Sequence, residues 1–88
     1  MIEVAYKPSF LRQLKKLDST LQEEVLEKID LFKDPRNHKA LEVHPLHGRM
    51  TGKFSFSVDF RNRVAFKYPE KDKTVAVLLA VGDHSIYR

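Results

Sequence analysis

The run "VAVLLAV" over residues 75–81 is apolar at every position. Glu70-Lys71-Asp72-Lys73 forms a charged turn before it, and Gly82-Asp83 follows it. A run this short cannot cross a bilayer, which takes about 20 residues of helix. Bounded by turn residues, it predicts a central strand covered on both faces. Other strands must then flank it, and a second layer must lie over it. In a chain of 88 residues this implies one domain over residues 1–88.

The flanking elements are legible from periodicity. Ile2, Val4 and Tyr6 alternate with Glu3 and Ala5, which predicts a strand over residues 2–6. Pro8 suits the first turn of a helix, where its missing N–H costs nothing. Phe10, Leu14 and Leu17 recur at helical spacing. Ser19 or Thr20 is placed to cap a second helix, with Glu23 completing a capping box from Thr20. Its apolar stripe is Leu21, Val25, Ile29 and Phe32, and Asp34-Pro35 ends it. So short a connection predicts an antiparallel helix hairpin. Residues 36–47 read as polar and irregular, with a short extended piece at 41–43. Phe54, Phe56 and Val58 then alternate with Ser55, Ser57 and Asp59; Val64, Phe66 and Tyr68 alternate with Arg63, Ala65 and Lys67. The expected fold is α+β: an N-terminal strand, a two-helix hairpin, then a three-stranded antiparallel meander completing one sheet packed on the helices. Phe54, Phe56, Val58, Val64 and Phe66 belong under the helices. Ser55, Ser57, Asp59, Arg63, Ala65 and Lys67 belong on an open, polar face.

Charge narrows the partners. The net charge is +4, with a pI near 9.5. Residues 48–67 hold Arg49, Lys53, Arg61, Arg63 and Lys67 against the single acid Asp59. A basic stripe of this kind suits a polyanion such as nucleic acid. Cysteine is absent, which excludes disulfides, thiolate metal sites and cysteine nucleophiles. His38, His44 and His47 do not have the spacing of a helical metal pair or a zinc finger. No cofactor or metal is therefore expected. Met1-Ile2-Glu3-Val4 lacks the basic start and apolar stretch of a signal peptide, so a cytoplasmic location without membrane attachment is expected.

The element order, "Leu46-His47-Gly48" before the sheet, "Asn62-Arg63-Val64-Ala65-Phe66", and the tail "Val81-Gly82-Asp83-His84-Ser85-Ile86-Tyr87-Arg88" together resemble the RelE/ParE superfamily of bacterial toxin–antitoxin toxins. The likeness spans nearly the whole chain, and the tail is most similar to the RelE and YafQ branches. "His44-Pro45-Leu46" is similar to the YafQ branch as well. The resemblance implies an mRNA endoribonuclease, usually acting in the ribosomal A site without a metal. The 2′-OH attacks the adjacent phosphate, leaving a cyclic phosphate and a 5′-hydroxyl. It also implies an acidic antitoxin as partner, with a heterotetramer or larger assembly as one form.

By the same resemblance Arg63 supports the phosphate, and His84 occupies a position where relatives place His or Arg. His44 matches a YafQ-branch histidine, and Tyr87 matches a terminal aromatic. Arg49, Arg61, Lys67 and Arg88 would hold RNA. The chain lacks the lysines that RelE-like members carry along the strand before the hairpin, with Lys53 alone at its entrance. The general base is therefore open among Lys53, His44 and Asp59. This gap leaves two further readings: a ParE-like gyrase inhibitor, and a degenerate toxin that binds only its antitoxin.

Ordinary roles stand beside these. Arg63 could pair with Asp59 across the hairpin, Arg61 could be a solvated turn residue, and His84 a turn histidine after Gly82-Asp83. Tyr87 could simply pack.

Overall fold

A computed structural model describes residues 1–83 and Ile86. Strand β1, Glu3–Tyr6, leads directly into helix α1, Pro8–Lys16, with Pro8 at its first turn. Leu17 and Asp18 join it to helix α2, Ser19–Phe32. The cap of α2 is Asp18, one or two residues earlier than the expected Ser19 or Thr20: its carboxylate accepts from the Leu21 N–H at 2.8 Å. Aspartate satisfies the orphan N–H here as well as serine would, and Ser19 becomes the first helical residue. Helix α2 stops where Asp34-Pro35 opens a 3-10 turn at Pro35–Asn37.

The remaining chain forms β2 (His44–Pro45), a 3-10 turn at Gly48–Met50, β3 (Phe54–Ser57), β4 (Arg63–Lys67) and β5 (Val75–Gly82). The sheet has five strands in the order β1-β5-β4-β3-β2. β1 runs parallel to β5, and the other pairs are antiparallel. The short extended piece thus falls at His44–Pro45 rather than at residues 41–43. Leu41 is instead a buried turn residue of the core, and it joins the sheet edge through its carbonyl, which accepts from the Ser57 N–H at 2.8 Å.

β5 is interior, flanked by β1 and β4. Its burial is one-sided: Ala76, Leu78 and Val81 are buried, while Val77, Leu79 and Ala80 are half-buried. Both faces were expected to be covered, but the helices lie on only one. A bulge makes the change of phase. Ala65 pairs with Ala80 while Phe66 pairs with Leu78, so Leu79 is the extra residue. Beyond Tyr6, where β1 ends, α1 takes over the edge of β5. Ser9 Oγ donates to the Leu79 carbonyl at 2.9 Å, and Gln13 Oε1 accepts from the Val81 N–H at 2.9 Å. These two side chains, four apart on one helix face, hold the far end of β5 in the sheet as far as Gly82, the partner of Arg63.

The core joins Phe10, Val25, Ile29 and Phe32 from the helices to Phe56, Val58, Val64, Phe66 and Leu78 from the sheet side. Phe32 sits at its centre. Its ring stacks 4.7 Å from Phe56 on one side and 4.7 Å from His38 on the other, and meets the edge of Phe66 at 4.8 Å. Truncating so central an aromatic typically costs about 3–5 kcal/mol.

Candidate RNA-binding and catalytic site

The sheet face away from the helices is not uniformly open. Ser55 and Ala65, facing each other across β3 and β4, are fully buried. The expected polar face is therefore interrupted at its middle, with Arg63 and Ser57 at one end. Lys67 belongs to the other end, with Lys53 just before β3. Four residues separate Arg63 from Lys67 along β4, which is about 13 Å at strand rise. Arg49, in the turn at Gly48–Met50, belongs with the β2–β3 connection at the Lys53 end.

Arg63 opens β4 directly opposite Ser57. Its Nη1 donates to Ser57 Oγ at 2.7 Å and to the Asp59 backbone carbonyl at 3.1 Å. The alternative of an Asp59–Arg63 ion pair is not what forms. The Asp59 carboxylate folds back over the turn instead. It accepts from the Arg61 N–H at 2.8 Å, from the Asn62 N–H at 2.6 Å and from Asn62 Nδ2 at 3.2 Å. Burial pushes this carboxyl up, but the N–H groups of Asn62 and Arg61 outweigh it, and its pKa lies below the ordinary value. An anion so fully engaged is a poor proton acceptor, which argues against Asp59 as the base.

Ser57 passes the contact onward. Having accepted from Arg63, its hydroxyl donates to Glu42 Oε1 at 2.8 Å. Glu42 has φ +57°, a left-handed conformation that costs a non-glycine residue about 1–2 kcal/mol. The twist aims its two acceptors in different directions. The carboxylate reaches Ser57, and the backbone carbonyl meets His44 Nδ1 at 2.7 Å. A carbonyl can only accept, so Nδ1 carries the proton. In the neutral ring Nε2 is then the acceptor, 3.5 Å from Ser55 Oγ. His44 is exposed as a residue.

The structure thus brings Arg63, Ser57, Glu42 and His44 into one connected set, and places Lys53, Lys67 and Arg49 apart from it. Arg61 is exposed in the hairpin turn beside Arg63. His84, Tyr87 and Arg88 lie outside the described residues. Glu42 and Ser57 were not candidates from sequence. A glutamate in a polar loop carries no signal without its backbone angle, and Ser57 reads as one polar position of an alternating strand.

His38 has a structural task. Its ring stacks on Phe32, and its Nε2 donates to the Phe32 carbonyl at 2.7 Å. Among the described residues no three His, Asp or Glu side chains gather as a metal site, and no helix is long and apolar enough to cross a membrane. A cleft of about 380 Å³ opens among Ile2, His38, Val43, Phe54 and Tyr68. Lys73 lies over the Phe54 and Tyr68 rings at its rim. His44 borders this cleft but Arg63 does not.

Solved structures with the same architecture include chains of toxin–antitoxin complexes. The RelBE2 complex of Mycobacterium tuberculosis matches at 24% identity over 94% of this chain and 98% of that one, with a TM-score of 0.74. An archaeal RelE–RelB complex from Pyrococcus horikoshii matches at 20% identity over 93% of both chains, with a TM-score of 0.70. YafQ of E. coli matches at 14% identity over 99% of this chain and 98% of that one, with a TM-score of 0.68. The chain has the RelE-like toxin fold. No family model matches the sequence, and no curated protein is significantly similar to it. At these identities the likeness is one of fold.

Proposed function

We propose that this protein is the toxin of a type II toxin–antitoxin pair and an endoribonuclease that cleaves mRNA without a metal, on the ribosome. The observation that carries the reading is the connected set of Arg63 and His44 on a RelE-like sheet. The reaction needs a proton acceptor at the 2′-OH and positive charge at the phosphorane. His44 Nε2, the acceptor nitrogen of the ring whose Nδ1–H is bonded to the Glu42 carbonyl, takes the 2′-OH proton. The 2′-oxygen forms its bond to phosphorus, and the P–O5′ bond breaks. Arg63, whose Nη1 is pinned by Ser57 and the Asp59 carbonyl, offers its guanidinium to the phosphorane oxygens. The 5′-oxygen leaves with a proton, a role proposed for His84, and Tyr87 is a further proposed catalytic residue. Lys53, Lys67 and Arg49 take flanking phosphates, with Arg61 and Arg88 as further contacts. Lys53 is the alternative base; His44 is preferred because Ser57 and Glu42 link it to Arg63. An acidic antitoxin is the proposed partner, and the cytoplasm the proposed location.

The test is expression without antitoxin, followed by mapping of RNA 5′ ends. Discrete 5′-hydroxyl ends within coding sequence, abolished by Arg63→Ala, are expected. Intact RNA with linear DNA trapped on gyrase would instead establish a gyrase-directed toxin. Intact RNA and unimpaired growth would leave an antitoxin-binding protein without activity.

A further inference from the structure

Phe60 stands at the tip of the β3–β4 hairpin with its side chain wholly in solvent. Other exposed apolar residues, such as Leu11, Leu26 and Leu31, lie on helices and are only partly uncovered. A phenylalanine fully in water gains nothing for the fold. The turn that holds it is nonetheless tightly built. Val58 and Asp59 donate their N–H groups to the Asn62 carbonyl at 2.9 and 3.4 Å. The Asp59 carboxylate closes the other side by accepting from Arg61 and Asn62. The residues before and after Phe60 are therefore fixed, and the ring is presented on a stiff support.

Its neighbours are cationic. Arg61 follows it and is exposed, and the Arg63 guanidinium touches the carbonyl of Asp59, the residue just before it. An aromatic ring set among arginines is the arrangement that binds single-stranded nucleic acid: the cations take the phosphates, and a base lies on the ring. We infer that Phe60 is a stacking platform for a nucleobase of single-stranded RNA, next to the phosphate held by Arg63. The inference rests on the ribonuclease reading and adds to it a base subsite at the hairpin tip. Because every base has a stackable face, the platform accepts any of the four bases and fixes where the strand lies. The stiff turn lowers the ordering cost of binding.

The experiment measures binding of a short RNA whose 2′-hydroxyls are methylated, which cannot be cleaved, free and in the decoding site of a ribosome. Phe60→Ala should melt at the wild-type temperature yet bind this RNA about 5–150-fold more weakly, the usual loss for one stacked base. Phe60→Trp should bind at least as tightly as wild type, and Phe60→Leu should resemble Phe60→Ala. On RNAs carrying one abasic nucleotide, the Phe60→Ala defect should vanish at a single position next to the cleavage site. Binding by Phe60→Ala within twofold of wild type overturns the inference and leaves the ring for a protein partner. A defect equal on every abasic RNA overturns it too. A wild-type protein that binds the methylated RNA through Phe60 but never cuts unmethylated RNA refutes the ribonuclease reading and supports this one.

Discussion

Removing the Asp59 carboxylate should loosen the turn that carries both Phe60 and the anchor of Arg63. In Asp59→Ala the N–H groups of Arg61 and Asn62 lose their acceptor. Loss of a capping acceptor costs about 0.5–2 kcal/mol, and bonds to a charged acceptor lie toward the upper end. The turn is half-exposed, so water recovers part, and about 1.5 kcal/mol is the working figure. At about 2.1 cal/mol/K per residue of unfolding entropy, an 88-residue domain loses roughly 5 °C per kcal/mol, so Tm should fall by about 8 °C. Asp59→Asn keeps an acceptor and loses only charge, so its drop at neutral pH should be smaller. Acid separates the two effects. The folded carboxyl titrates below its unfolded value, despite the upward push of burial. Its charge therefore stabilises the fold fully above the unfolded pKa, and this is lost as pH falls through the folded one. The Tm gap between wild type and Asp59→Asn should be constant near neutrality and close as pH drops toward 3. Thermal unfolding followed by circular dichroism from pH 7 to pH 3 reads all of this. An Asp59→Ala protein melting within 2 °C of wild type, or a gap that widens in acid, would refute the reasoning.

Arg63→Lys should lose nearly as much cleavage as Arg63→Ala, since an ammonium cannot hold Ser57 and Asp59 while facing a phosphate with a planar fork; single-turnover cleavage of a short RNA measures it. His44→Gln should lower the cleavage rate by about 10²–10⁴-fold in single-turnover assays, with the melting temperature unchanged because the ring is exposed. His84→Gln should be slow on ordinary RNA but recover much of its rate on RNA with a 5′-thio leaving group, which departs without a proton; equal slowness on both would remove His84 as the acid. Cleavage of a short model RNA should persist in excess EDTA, and a specific rescue by a transition metal would contradict the metal-free mechanism.

The sequence carried most of the fold, and some members of the candidate site. The apolar run at residues 75–81 and the stripe Leu21, Val25, Ile29 and Phe32 are repeating patterns, so many residues vote on each element. Arg63 was a candidate through the resemblance, as the arginine that opens the strand after the hairpin turn; the letters around it are equally those of a solvated hairpin. Other features depend on a single angle or contact. Asp18 and Ser19 are both good caps, and only the backbone decides between them. Ser55 is polar, yet it is buried against Ala65 because the sheet face is not open there. The Leu79 bulge leaves no mark within a run where every residue is apolar. Glu42 is the extreme case. Its part in the site follows from a positive φ and from two acceptors pointing apart, and neither can be read from a letter in a loop.

The takeover of β5's edge by Ser9 and Gln13 bears on how copies of this molecule meet one another. β5 is the longest and most apolar strand, and it is the one whose bare rim would most readily recruit a second chain. β1 seals its first half and α1 seals the stretch around Leu79–Val81. The rims left over belong to β1 and β2, four and two residues long, and Pro45 strips one donor from the shorter. Such stubs offer too few backbone bonds to template fibrils, so the protein should stay dispersed at concentrations where a sheet with an open β5 would clot.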